Sequence, residues 1–136
     1  MYRATICAAW GAFCIYLAMV SSPASAQDQV DRLDIRRLAP HQRMEIQSQR
    51  RLYRMMLVDP ATGETEARVS RDGENFSDPV RVFIIGGTTG RQPEMLVRMG
   101  RIEVGQSMEL GLGSLDARDR ALSEPIVEIR LIANEQ

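Results

Sequence analysis

The chain reads as a mainly β protein, a single antiparallel β-sandwich of Ig-like type or a small barrel, of about six to eight short strands behind a cleavable signal peptide. Three observations predict this. The dominant hydrophobic period is two, as in Ile126-Val127-Glu128-Ile129-Arg130-Leu131-Ile132. Turn signals such as Asp59-Pro60-Ala61-Thr62-Gly63 and Asp72-Gly73 recur at intervals of about 8–15 residues. No amphipathic helix is long enough to cross over a parallel sheet, which argues against an α/β fold.

Residues 1–26 carry the three parts of an export signal: Arg3 in a short n-region, an uncharged apolar run from Ala4 to Val20, and a small-residue stretch ending Ala24-Ser25-Ala26. Cleavage is expected after Ala26, leaving 27–136 as one exported β-rich domain, periplasmic or secreted. The competing reading keeps the 17-residue apolar run as an anchor, and membrane contact is expected only in that case. Gly11-Ala12-Phe13 before Cys14 is not a lipid-attachment pattern.

The export segment takes both cysteines (Cys7, Cys14) and the one tryptophan (Trp10) with it. All 17 basic residues of the chain are Arg, and His41 is its one histidine. Disulfides, thiol catalysis, Cys-ligated metals and Lys Schiff bases are thereby excluded from residues 27–136. No length or cysteine argument forbids a fold, because about 110 residues can bury a sufficient core unaided.

Along the domain, Leu33 and Ile35 on one side of Ala39-Pro40 and Met44 and Ile46 on the other are spaced for two strands. Leu52 to Val58 is apolar on both faces and suits a buried strand. With the Asp59–Gly63 turn and Glu66–Arg71, where Ala67 and Val69 face inward, it forms a hairpin. Val80–Ile85 is β-branched and aromatic, hence a strand, and Gly86-Gly87-Thr88-Thr89-Gly90 is expected to end it as a loop. Met95–Met99 and Arg101–Val104 are split by Gly100, and Met108, Leu110 and Leu112 share a face. Ser114 is placed to cap a helical turn before Leu122. In Ile126–Ile132, Val127, Ile129 and Leu131 are expected inward and Glu128 and Arg130 outward.

Charge is unevenly distributed. Residues 27–54 hold seven Arg against four acids, and 55–136 hold nine Arg against fourteen. Arg36, Arg37, Arg43, Arg50, Arg51 and Arg54, with Arg91 beside the Gly-rich segment, are the candidate contacts to an anionic ligand or a partner, because guanidinium matches carboxylate and phosphate bidentately. The plainer reading is a solvated strand face balanced by Asp31, Asp34 and Glu45. The Gly86–Arg91 segment could present backbone amides to an anion, but it lacks the Walker Gly-Lys-Ser/Thr.

Other groups are weighed and set aside. Ser70-Arg71-Asp72-Gly73-Glu74-Asn75-Phe76 resembles the Ser-x-Asp-Gly turn of extracellular β-domains, including sialidase-type Asp boxes, although it is shorter and has Phe76 where Trp is usual. The resemblance implies a structural turn rather than a calcium loop. Glu103, Glu109 and Glu128 fit a solvated outer face, and three aromatics (Tyr53, Phe76, Phe83) make a poor sugar platform. The six methionines from Met44 to Met108 suit core filling better than copper. His41 reads as a loop residue.

The expectation is therefore a non-enzymatic exported domain acting by protein–protein or envelope contact, with an accessory or assembly role, through a strand such as Leu33–Leu38 or Ile126–Ile132 added to a partner's sheet. No catalytic residue, cofactor, metal or nucleic acid is expected. The alternative is a small binding module for an anionic or metal ligand using Arg32–Arg54 or Gly86–Arg91. The layout is similar to that of small periplasmic accessory subunits of surface-fibre systems, with no motif that carries residues over.

Overall fold

A computed structural model describes residues 27–89 and 96–134, so the expected signal segment, Gly90, Arg91 and Met95 lie outside the described residues. The described chain is built of antiparallel strands: β1 (Gln27–Val30), β2 (Arg32–Asp34), β3 (Arg43–Ser48), β4 (Leu52–Asp59), β5 (Glu64–Ser70), β6 (Val80–Thr89), β7 (Leu96–Met99), β8 (Arg101–Glu103), β9 (Ser107–Leu112) and β10 (Arg120–Ile132). Two short 3-10 turns, Ile35–Arg37 and Ala117–Asp119, interrupt them. The count exceeds the expected six to eight, and the strand without a sequence signal is β1, four residues long with Val30 its one apolar side chain.

The hydrogen-bonded path β10-β3-β4-β5-β6-β9 returns to β10 and so closes on itself. Two long strands permit this by changing partners along their length. β10 pairs β9 through Arg120–Pro125 and β3 through Ile126–Ile132. β6 pairs β5 through Val80–Phe83 and β7 through Gly86–Thr89, with β9 along its other edge. β1 lies beside the second half of β10, and β2 with β8 forms a separate ribbon. The expected hairpin is β4–β5, whose turn is held by Asp59 Oδ1 accepting from Ala61 N at 2.9 Å.

One apolar set fills the interior. It comprises Met44 and Ile46 of β3, Tyr53, Met55 and Leu57 of β4, and Ala67, Val82, Ile84, Met108, Leu110, Ile126 and Ile129 from the remaining strands of the circuit. Leu33, Ile35 and Ile102 join the set from the β2–β8 region. A fully buried Leu, Ile or Met side chain stabilises by about 1.5–3 kcal/mol. This set is therefore the main source of stability.

Several expectations are corrected. Gly86–Thr89 is not a loop: β6 runs through it, flanked on both edges by β7 and β9. The glycine is there for close approach, since a Cβ on Gly86 would lie 2.8 Å from the Arg98 carbonyl carbon. Leu33–Leu38 is not an edge strand, because its first half is taken by β8 and Ile35–Arg37 turns away as 3-10. Ile126–Ile132 is no free edge either, being paired by β3 throughout and by β1 from Ile129.

Val127 is 54% exposed rather than inward, because a register shift between Ile126 and Glu128 transfers the inward position to Ile126. Leu112, at the end of β9, is likewise exposed. β4 buries one face, not two: Arg54 and Val58 are exposed. The 3-10 turn near Ser114 is capped at Asp116 with no side-chain bond, and Ser114 Oγ instead lies 2.6 Å from Asp119 Oδ2.

Candidate functional site

The Arg-rich segment does not form one patch. Arg43 and Arg54 stand on the outer face of β3 and β4, in a charge ladder. Directly opposed residues there run Gln29, Arg130, Glu45, Arg54, Arg68 across five strands. Arg54 is paired to Glu45 at 2.7 Å, and its guanidinium carbon lies 4.1 Å from the centroid of the Phe76 ring. Arg50 is exposed on the β3–β4 connection. Arg51, on the same connection, meets Glu124 at 3.6 Å. Burial opposes ionisation of Glu124, but its own backbone N–H, the Ser48 hydroxyl, Arg51 and Arg50 outweigh it and hold its carboxyl below the ordinary value. Arg51 and Arg54 are answered by neighbouring acids, as on a solvated face, while Arg43 and Arg50 have no ion pair among the described residues.

Arg36 and Arg37 lie elsewhere, on the 3-10 turn after β2. Asp34 caps this turn, accepting from Arg36 N at 3.2 Å, and its other oxygen meets Arg37 at 3.5 Å. Ile35 N donates to Gly100 O at 2.8 Å, which fixes the turn against the β7–β8 bend. Gly100 has φ +72°, and a Cβ there would stand 3.1–3.4 Å from Arg36 Nε, Cδ and Cγ, so the Arg36 stem lies flat across it. Arg37 is thus drawn to Asp34, while the Arg36 side chain has no ion pair among the described residues.

The Arg36 side chain borders a cleft of about 350 Å³. Its walls come from the β4–β5 turn (Pro60–Gly63), Ile84 and Ile85 of β6, Met99–Gly100, Leu115 and Arg120. Met99 and Leu115 are 61% and 51% exposed, so the cleft has apolar lips as well as an apolar floor. Among the described residues, its only polar side chains are those of Arg36, Thr62 and Arg120. The Thr62 hydroxyl is already bound to Asp59 Oδ2 at 3.1 Å.

Arg120 is anchored from behind. Its Nη1 donates to Glu109 Oε1 at 2.9 Å, and the Glu109 side chain is only 5% exposed. Glu109 was expected on the solvated outer face. It is buried instead, and its Oε2 has no hydrogen-bond partner among the described residues. The sequence marks Glu109 only as one of three outer-face carboxylates and does not mark Arg120. The one available signal was a Glu between Met108 and Leu110 in a strand flanked by glycines.

The Asp72 turn is structural. Asp72 Oδ1 accepts from Ser70 Oγ, Glu74 N and Asn75 N, and Oδ2 accepts from Asn75 Nδ2. The Asn75 bonds, then Glu74 and Ser70, hold its carboxyl far below the usual carboxylate range. His41 is an exposed turn residue with φ +64°, its N–H bonded to Leu57 O at 2.7 Å. Among the described residues no group of three His, Cys, Asp or Glu is placed to hold a metal ion.

Comparison with protein families, curated proteins and solved structures returned no match.

Proposed function

We propose that the protein is an exported, non-enzymatic binding domain that acts by contact with a protein or another envelope component, and that the Arg36–Arg120 cleft is where it makes that contact. Export rests on the three-part signal in residues 1–26, which places the domain in the periplasm or outside the cell. The closed strand circuit is read as a small barrel rather than an Ig-like sandwich, with β1 and β7 as lateral additions. A closed circuit removes most open edges and so shifts recognition from strand addition to a surface cleft.

The observation that carries the reading is the cleft's lining: an apolar floor and lips with two guanidinium groups and a hydroxyl already engaged. Guanidinium stays protonated at any physiological pH, so these groups hold an anion and do not shuttle protons. Pockets of about 300–1,000 Å³ with a few placed polar groups are typical of ligand sites.

The test is site-specific photocrosslinking in the intact envelope, with the photoreactive residue at Leu115 on the cleft's lip or at Val127 on the exposed bulge. A discrete adduct from position 115 alone supports the reading. No adduct, or the same adduct from both positions, refutes it.

A further inference from the structure

We infer that the cleft recognises the C-terminal end of a polypeptide, with its chain-terminal carboxylate on Arg36 and Arg120 and its last apolar side chain between Met99 and Leu115. This rests on the binding reading above and names the ligand.

The charge balance favours an anion. Of the charged groups at the cleft, Arg36 has no ion pair among the described residues, and Arg120 shares a single bond with Glu109 Oε1. Two cations against one buried carboxylate leave the site with one positive charge for a ligand to answer. Glu109 is a positioning residue: it holds the Arg120 guanidinium by one nitrogen and leaves the others for a ligand. Gly100 and Asp34 do the same for Arg36, one by letting its stem lie flat and the other by occupying Arg37.

Shape selects the chain end. The apolar surface lies directly beside the cations, so carboxylate and apolar group must be close neighbours in the ligand, as in a C-terminal Leu or Phe. A volume of about 350 Å³, roughly that of ten to twelve waters, takes one or two residues. A long acyl chain carries a carboxylate too, but it needs an enclosed apolar tunnel to bury its length, and this cleft is only partly enclosed.

The experiment is nitrogen-15 NMR titration of the purified protein, following the Arg Nε–H signals. The probes are N-acetyl-Ala-Ala-Phe-Leu with a free carboxylate, the same peptide amidated at its C-terminus, and decanoate. The expected result is saturable shifts at Arg36 and Arg120 with the free acid and about 10-fold weaker binding of the amide, the loss of one charge-assisted contact. Arg36→Gln weakens the free acid by about the same factor, and Arg37→Gln leaves it unchanged. Both sites are exposed, so both variants fold. Glu109→Gln removes the ligand-induced shift at Arg120 and retains the one at Arg36, which a merely structural role would not produce.

Equal binding of acid and amide overturns the carboxylate assignment, and tighter binding of decanoate overturns the polypeptide source. If no probe binds while the Leu115 adduct forms, the chain-end inference fails and the binding reading stands. If neither is seen, both fail.

Discussion

Replacing Gly86 by alanine tests whether β6 continues through the Gly-Gly-Thr-Thr segment. An added Cβ would overlap the Arg98 carbonyl oxygen, with the carbonyl carbon at 2.8 Å and Met99 Cα at 3.2 Å. All three are backbone atoms of β7, so no side chain can swing away, and β7 must be pushed off β6. The overpacking term is about 1–3 kcal/mol. Loosening the Gly86–Thr89 and Leu96–Met99 pairing forfeits one or two ladder hydrogen bonds at about 1 kcal/mol each. The sum is about 2–5 kcal/mol, a large part of the ~5–15 kcal/mol that holds a domain folded. At about 4 °C per kcal/mol for a domain of this size, the melting temperature falls by about 8–20 °C. The control is Gly73→Ala, where φ is +79° but nothing lies within 4 Å of the added atom. It costs only the left-handed backbone penalty, about 1–2 kcal/mol. The assay is reversible thermal or urea unfolding followed by far-ultraviolet circular dichroism. If Gly86→Ala is tolerated as well as Gly73→Ala, the segment is a loop and the pairing of β6 with β7 is wrong.

Ile129→Ala removes a fully buried side chain and is expected to cost about 2–5 kcal/mol in urea unfolding, while Val127→Ala on the bulge changes stability by less than about 0.5 kcal/mol. Similar losses at both positions would place Val127 inward. Ser123→Ala leaves Met108 N–H without the 2.9 Å bond to Ser123 Oγ, which costs about 1–3 kcal/mol and speeds hydrogen exchange at that amide. Asp72 and Glu124 both have folded-state carboxyls below their ordinary values. Their contribution is therefore present above the unfolded carboxylate value near pH 4 and is lost as pH falls through the lower folded values. Asp72→Asn flattens the acid limb of the stability profile, and a limb unchanged by this substitution would count against the hydrogen-bonded turn.

The strand content was legible because it rests on local alternation. β3, β4 and β5 bury every other residue for most of their length, as the period of two predicts. What was not legible depends on pairing. A bulge shifts register without changing composition, so Val127 and Ile126 exchange faces although both are β-branched. A Gly-Gly-Thr-Thr run has the composition of a turn, and only the two strands that flank it make it a strand. Strands that change partners halfway, as β6 and β10 do, look in sequence like one strand each, yet they are what closes the circuit.

The site divides along the same line. Arg36 was among the seven arginines singled out by charge density, but charge density cannot separate it from Arg37, Arg43, Arg51 or Arg54. Where the acids fall separates Arg36 from three of its neighbours. Asp34 takes Arg37, Glu124 takes Arg51 and Glu45 takes Arg54. Each of the last two pairs joins residues brought side by side by strand pairing or by the return of β10. Arg36 alone among these arginines borders the large apolar cleft, because Ile35 pins its turn to Gly100, sixty-five residues along the chain. Arg120 and Glu109 meet through the β9–β10 register, eleven residues apart. Arg36 is thus set apart by its place beside the cleft, since Arg43 and Arg50 are also without an ion pair among the described residues. That is a property of the fold and not of any stretch of the chain.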